Sequence, residues 1–77
     1  MRVKVKFFAS LREQVGASET EIELPEGSTV GAVWKAATGQ AEAPGNVLMA
    51  VNLDYAKGDA PVSDGDEVAF FPPVTGG

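Results

Sequence analysis

The amino-acid sequence predicts an α+β roll, a single sheet with helices on one face. Three observations predict it. Stretches of alternating hydrophobicity are interleaved with stretches of helical period. Their order along the chain is strand, helix, strand, helix, strand, strand. With 77 residues, 44% of them hydrophobic, there is material for one domain and one thin core.

Residues 2–7 alternate strictly. Val3, Val5 and Phe7 fall on one side and Arg2, Lys4 and Lys6 on the other, the pattern of a half-buried strand. The period then changes. Ser10 and Glu13 stand in capping-box spacing, which predicts Ser10 as the N-cap of a short helix. Leu11 and Val15 share its apolar face, and Gly16 is placed to end it. Residues 20–24 alternate again, with Ile22 and Leu24 inward and Glu21 and Glu23 outward. A basic stripe on the first strand and an acidic one here predict that the two strands pair, since opposite charges across a ladder favour one register. Pro25 and Gly27 stop the strand.

Ser28 or Thr29 then caps a second helix, in which Val30, Val33, Trp34 and Ala37 recur at i, i+3, i+4 and i+7. Such a stripe is what a core-facing helix requires, and Trp34 is expected to cover the sheet. Residues 39–46 read as a loop rich in Gly, Ala and Pro. Residues 47–52 read as a mostly apolar, central strand. Residues 53–61, with Asp54, Gly58 and Asp59, read as irregular. Ser63-Asp64-Gly65-Asp66 is a turn in which Gly65 supplies positive φ, and residues 67–71 form the last strand.

Composition excludes much chemistry. The chain has neither cysteine nor histidine, so no disulfide, thiolate metal site, zinc centre or catalytic triad can be built from it. No metal site and no bound cofactor are expected. A net charge of −5 disfavours nucleic acid as a partner. No apolar run approaches the roughly 20 residues of a membrane helix, and the alternating start is unlike a signal peptide. A soluble cytoplasmic protein is the expectation.

The informative segment is the end. After Phe71 comes Pro72-Pro73-Val74-Thr75-Gly76-Gly77. Two prolines cannot extend a ladder and impose extended polyproline geometry, which lifts the tail from the sheet. Two glycines have no side chain to obstruct a narrow channel, so a partner could close around bare backbone and a terminal carboxylate. A frayed terminus without function is the plain alternative. The stiff spacer, joined to the absence of any side-chain nucleophile system, favours a carboxyl-activated carrier or modifier. The expected organisation is a folded domain at 1–71 and an extended tail at 72–77.

The run Asp64-Gly65-Asp66-Glu67-Val68-Ala69-Phe70-Phe71-Pro72-Pro73-Val74-Thr75-Gly76-Gly77 resembles the small, sulfur-carrier subunits of molybdopterin synthases. Val3-Lys4-Val5-Lys6-Phe7-Phe8-Ala9, Leu11-Arg12-Glu13 and Ala50-Val51-Asn52 are similar to that family as well, so the resemblance spans the chain. It implies a ubiquitin-like β-grasp fold with a mixed sheet. It also implies a role. An adenylating enzyme of the ubiquitin-activating type would use ATP to convert the Gly77 carboxylate to an acyl-adenylate. A sulfur-donor enzyme would then leave a thiocarboxylate there. The large synthase subunit would admit the tail, and two such sulfurs would be transferred to cyclic pyranopterin monophosphate, forming the dithiolene of molybdopterin. On this reading the chain is a sulfur donor and not an enzyme by itself, and two copies sit at opposite ends of a large-subunit dimer, a heterotetramer. The alternatives are a sulfur carrier for thiamine or thionucleoside synthesis, for which the Phe-Phe-Pro-Pro block is the discriminating feature, and a ubiquitin-like protein modifier.

Gly77 is therefore the expected reacting residue, with Gly76 and Thr75 threading the channel and Phe71, Pro72, Pro73 and Val74 meeting the partner. Phe70 and Phe71 are adjacent on a strand and must face opposite ways, so Phe70 joins the core and Phe71, with Ala69, the outer face. Phe8 is ambiguous in the same way and is kept with the core, which helix packing allows. Tyr55, in the irregular stretch, is either a partner contact or a lone exposed tyrosine. Arg12 is either an ion-pair partner for the activating enzyme or a solvated helix charge. Asp64, Asp66 and Glu67 lack the ligand spacing of a calcium loop and read as turn residues.

Overall fold

Arg2–Phe7 form strand β1, and the inward set is the alternating one: Val3, Val5 and Phe7 are buried. We describe the protein from a computed structural model, whose described residues are 1–41, 43 and 47–72. Helix α1 (Ser10–Val15) follows, then β2 (Glu19–Glu23), helix α2 (Val30–Thr38), β3 (Leu48–Val51), β4 (Asp54–Ala56) and β5 (Glu67–Phe71). The five strands form one mixed sheet in the order β2-β1-β5-β3-β4, in which β1 and β5 are parallel and every other neighbouring pair is antiparallel. This is a β-grasp sheet. First and last strands lie side by side at its centre.

The charge stripes pair as the sequence predicts. Arg2, Lys4 and Lys6 stand opposite Glu23, Glu21 and Glu19. Arg2 donates from Nη2 to Glu23 Oε1 at 2.9 Å, and this bond, with the nearby carboxylates, holds the guanidinium above its ordinary pKa. The pair is solvated, so it fixes register more than it adds stability.

Both helices pack on the face that β1 makes apolar. Leu11, Val30, Val33 and Trp34 join Val3, Val5, Phe7, Val62, Val68 and Phe70 in one buried cluster. Trp34 packs edge-on against Phe7 and Phe70, with centroids 6.3 and 5.0 Å away. Its indole Nε1 is buried and finds no acceptor among the described residues. Thr29, not Ser28, caps α2: its Oγ1 accepts from Ala32 N–H at 3.3 Å, while Ser28 Oγ donates to Pro25 O at 2.7 Å. The two N–H groups at the start of α2 are satisfied from across the fold, Val30 by Ala60 O at 2.9 Å and Gly31 by Gly58 O at 2.8 Å.

Three expectations fail, each for a local reason. Ser10 does not cap α1. It is already the first helical residue, and the chain leaves β1 through Ala9 at φ 53°, ψ −131°, with Leu11 N–H bonded to Phe8 O at 3.1 Å. A tight turn has taken the place a cap needs. The stretch after residue 52 is not wholly irregular. Asn52 and Leu53 both take positive φ, 50° and 73°, and make a two-residue turn into β4, which pairs with β3 as Val51↔Asp54 and Ala50↔Tyr55. Tyr55 is thus a strand residue. Finally, Phe8 is outside the core, 41% exposed, because the residue after an inward Phe7 must face outward.

Candidate functional site

The outer face of the sheet is built by register. Lys6, Ala69, Ala50 and Tyr55 align across β1, β5, β3 and β4, and Leu48 stands opposite Phe71. Ala50 and Ala69 are buried, 5% and 8% exposed, yet neither belongs to the core cluster. They are a floor. Larger side chains rise around them and enclose a groove of about 290 Å³ that is lined also by Phe8, Phe71, Leu53 and Tyr55. A shallower depression of about 470 Å³ lies along β3 and β4 past Leu48 and Tyr55.

Phe71 lies on the outer face, as strand alternation predicts, while Phe70 is fully buried. Phe71 stacks on Phe8 with centroids 4.9 Å apart and planes 13° from parallel. Phe8 reaches this position because its N–H is bonded to Phe70 O at 3.1 Å before the chain turns at Ala9. Lys6 Nζ and Glu67 Oε1 pair at 3.1 Å in the groove wall. Leu53 and Tyr55 project from the hairpin at the far side, 89% and 79% exposed. The groove therefore ends on the aromatic pair from which Pro72 departs.

The hairpin is clamped to β5. Asn52 N–H donates to Glu67 O at 2.8 Å, Glu67 N–H donates to Asn52 Oδ1 at 3.0 Å, and Asn52 Nδ2 donates to Asp66 Oδ1 at 2.9 Å. Asp66 Oδ2 accepts from Ser63 N–H at 2.7 Å, and Asp64 Oδ1 from Arg2 N–H at 2.7 Å. Asp64 and Asp66 thus serve turns and their neighbours, as the sequence predicts, whereas Glu67 belongs to β5 and pairs with Lys6, a pairing the sequence does not predict. Among the described residues no group of acidic side chains is arranged to hold a metal ion, and no helix is long and apolar enough to cross a membrane.

Phe71 and Tyr55 thus share one groove from opposite sides, and Pro72 follows Phe71 in the chain without lining it. Arg12 is exposed on α1 and does not line it. Pro73, Val74, Thr75, Gly76 and Gly77 lie outside the described residues. Sequence reasoning placed Ala69 on the outer face but missed Phe8, Leu53 and Ala50. The signal for Phe8 was present, since the rule that separates Phe70 from Phe71 separates Phe7 from Phe8.

Residues 5–77 match the ThiS family. The chain belongs to that family. Among proteins similar to this ThiS-family chain is the molybdopterin synthase sulfur carrier subunit of Escherichia coli (strain K12), 44% identical over 81 residues that cover 97% of this chain and 99% of the relative. Among solved structures, SAMP1 from Haloferax volcanii superposes with a TM-score of 0.87 at 28% identity, covering the whole of both chains. A protein–protein complex of subunits 1 and 2 of molybdopterin-converting factor from Helicobacter pylori 26695 contains a chain that superposes with a TM-score of 0.64 at 26% identity, again over both full lengths. The ThiS-family assignment and these likenesses agree with the β-grasp sheet and its strand order.

Proposed function

We propose that this ThiS-family protein is the sulfur-carrier subunit of a molybdopterin synthase and acts in molybdenum-cofactor synthesis. The observation that carries this reading is the placement of an apolar, aromatic-walled groove at the root of a Pro-Pro-Val-Thr-Gly-Gly tail. The near full-length likeness to a named sulfur carrier subunit supports it. The partner is the large synthase subunit, in keeping with the two-subunit complex that contains a similar chain. Two small subunits flank a large-subunit dimer in the proposed assembly.

The chemistry follows from what the chain lacks and what it ends in. It has no histidine or cysteine to act as base or nucleophile. A carboxylate is a poor electrophile until one oxygen becomes a leaving group. An activating partner attaches AMP from ATP to the Gly77 carboxylate and releases pyrophosphate; a sulfur donor then displaces AMP and leaves a thiocarboxylate. The large subunit admits Thr75, Gly76 and Gly77 as bare, narrow backbone, while Phe71 and Pro72 to Val74 seat the domain outside the channel. Each thiocarboxylate passes one sulfur to cyclic pyranopterin monophosphate, water hydrolyses the acyl–sulfur bond to return Gly77 to the carboxylate, and two such transfers complete the dithiolene. The protein is substrate and subunit, and catalysis belongs to its partners. The proposed site of action is the cytoplasm, where ATP for the activating step is at hand.

Intact-mass measurement tests this. Incubation with activating enzyme, ATP and a sulfur source converts the protein to a species in which one oxygen is replaced by sulfur, and deletion of Gly77 abolishes the conversion without unfolding the domain. An unchanged mass in a competent system would sink the proposal. The likeness to SAMP1, one of the small archaeal modifier proteins, favours a second reading as a protein modifier. Covalent conjugates of the domain with other proteins in cell extracts would establish it.

A further inference from the structure

Leu53 stands where the isolated domain has no use for a leucine. It occupies the second central position of the two-residue turn between β3 and β4 at φ 73°, a backbone conformation that disfavours any residue with a Cβ and that such turns ordinarily give to glycine. Its side chain is 89% exposed, so burial within the domain returns little for that strain. Asn52, which favours the turn, already supplies the first central residue.

Three further observations say what the leucine meets. The turn is not loose, because the Asn52 side chain ties it to Asp66 and Glu67 at 2.9 and 3.0 Å; the position of Leu53 is set before any partner arrives, which lowers the entropic cost of contact. Leu53 lines the same groove as Tyr55, Phe8 and Phe71, so its surface is continuous with the residue from which the tail departs. The charged groups in that wall, Lys6 and Glu67, already neutralise one another at 3.1 Å, which leaves the groove suited to an apolar side chain and not to a charged one.

We infer that Leu53 is a specificity-determining contact of this face, a preset anchor that encloses an apolar side chain of the large synthase subunit against Tyr55, Phe8 and Phe71. The inference rests on the sulfur-carrier reading and assigns one partner to the hairpin side of the groove.

Isothermal titration of the purified large subunit with wild-type protein, Leu53→Gly and Leu53→Met tests it, with thermal melts of each free domain. Leu53→Gly removes the anchor and relieves the positive-φ strain, so its affinity falls roughly tenfold while its Tm stays level or rises. Leu53→Met keeps an apolar side chain and retains affinity within about threefold. Equal affinity for wild type and Leu53→Gly would overturn the inference while leaving the carrier reading intact. A melting temperature several degrees lower for Leu53→Gly would overturn it too, by showing that the leucine serves the fold. Weakened binding to the activating enzyme with large-subunit affinity untouched would assign the anchor to the wrong partner and overturn it. Wild-type protein that does not bind the large subunit at all would sink the carrier reading itself, and the inference with it.

Discussion

The ring of Phe8 lies flat against that of Phe71, 4.9 Å away and 13° from parallel, and so joins the turn after β1 to the last residue of β5. Pro72 therefore follows a braced residue. Phe8→Ala and Phe71→Ala should each weaken large-subunit binding, because truncating a central aromatic in an interface typically costs about 1 kcal/mol or more. Their effects on folding should be non-additive. A double-mutant cycle by chemical denaturation should return a coupling of about 0.5–1.5 kcal/mol. Zero coupling would mean that the rings are neighbours without mutual support.

Asn52 holds a left-handed backbone conformation and two side-chain hydrogen bonds at once. Asn52→Ala should cost about 2–3 kcal/mol in urea unfolding, from both the strain and the lost bonds. Asn52→Gly keeps the backbone free to take positive φ and should cost less. If alanine and glycine are equally tolerated, the clamp does not hold the hairpin.

Ala9 takes φ 53° and ψ −131° between Phe8 and α1. A Cβ is disfavoured there, so Ala9→Gly should stabilise the domain by about 1 kcal/mol, a Tm rise of roughly 4–8 °C for a domain this small. A differential scanning calorimetry trace with an unchanged or lower midpoint would refute this.

Trp34 fills the gap between helix and sheet against Phe7 and Phe70. Trp34→Ala should cost about 3–5 kcal/mol, most of the stability a small domain possesses. Trp34→Phe should cost distinctly less, because it keeps a ring against Phe7 and Phe70 and the buried Nε1 has no acceptor among the described residues. Equal losses for the two variants would show that an aromatic ring between Phe7 and Phe70 is not what the site requires.

Much of the scaffold was legible in the residues. Strict alternation identified β1 and its inward set, and opposed charge stripes identified its pairing with β2, because sheet geometry converts both patterns directly into faces. The stripe from Val30 to Ala37 identified α2 for the same reason. What escaped was decided by backbone conformations that composition does not advertise. The Asn52-Leu53 turn lacks the glycine that marks such hairpins, so β4 was hidden inside an apparently irregular stretch. Ser10 carries cap chemistry, yet the turn at Ala9 displaces it into the helix. On the outer face, single residues such as Phe71 could be assigned by alternation, whereas the groove needed four strands in register to bring Lys6, Ala69, Ala50 and Tyr55 into one row.

The parallel pairing of β1 with β5 has a consequence for synthesis. Val5 finds its neighbour Val68 only after some sixty intervening residues have been made. A nascent chain still lacking β5 has no central strand, and its β1 has one unsatisfied edge, so the domain closes late and all at once. Unfinished or prematurely ended translation products then lack the strand that joins β1 to β3, so neither the sheet nor the groove on its outer face can form.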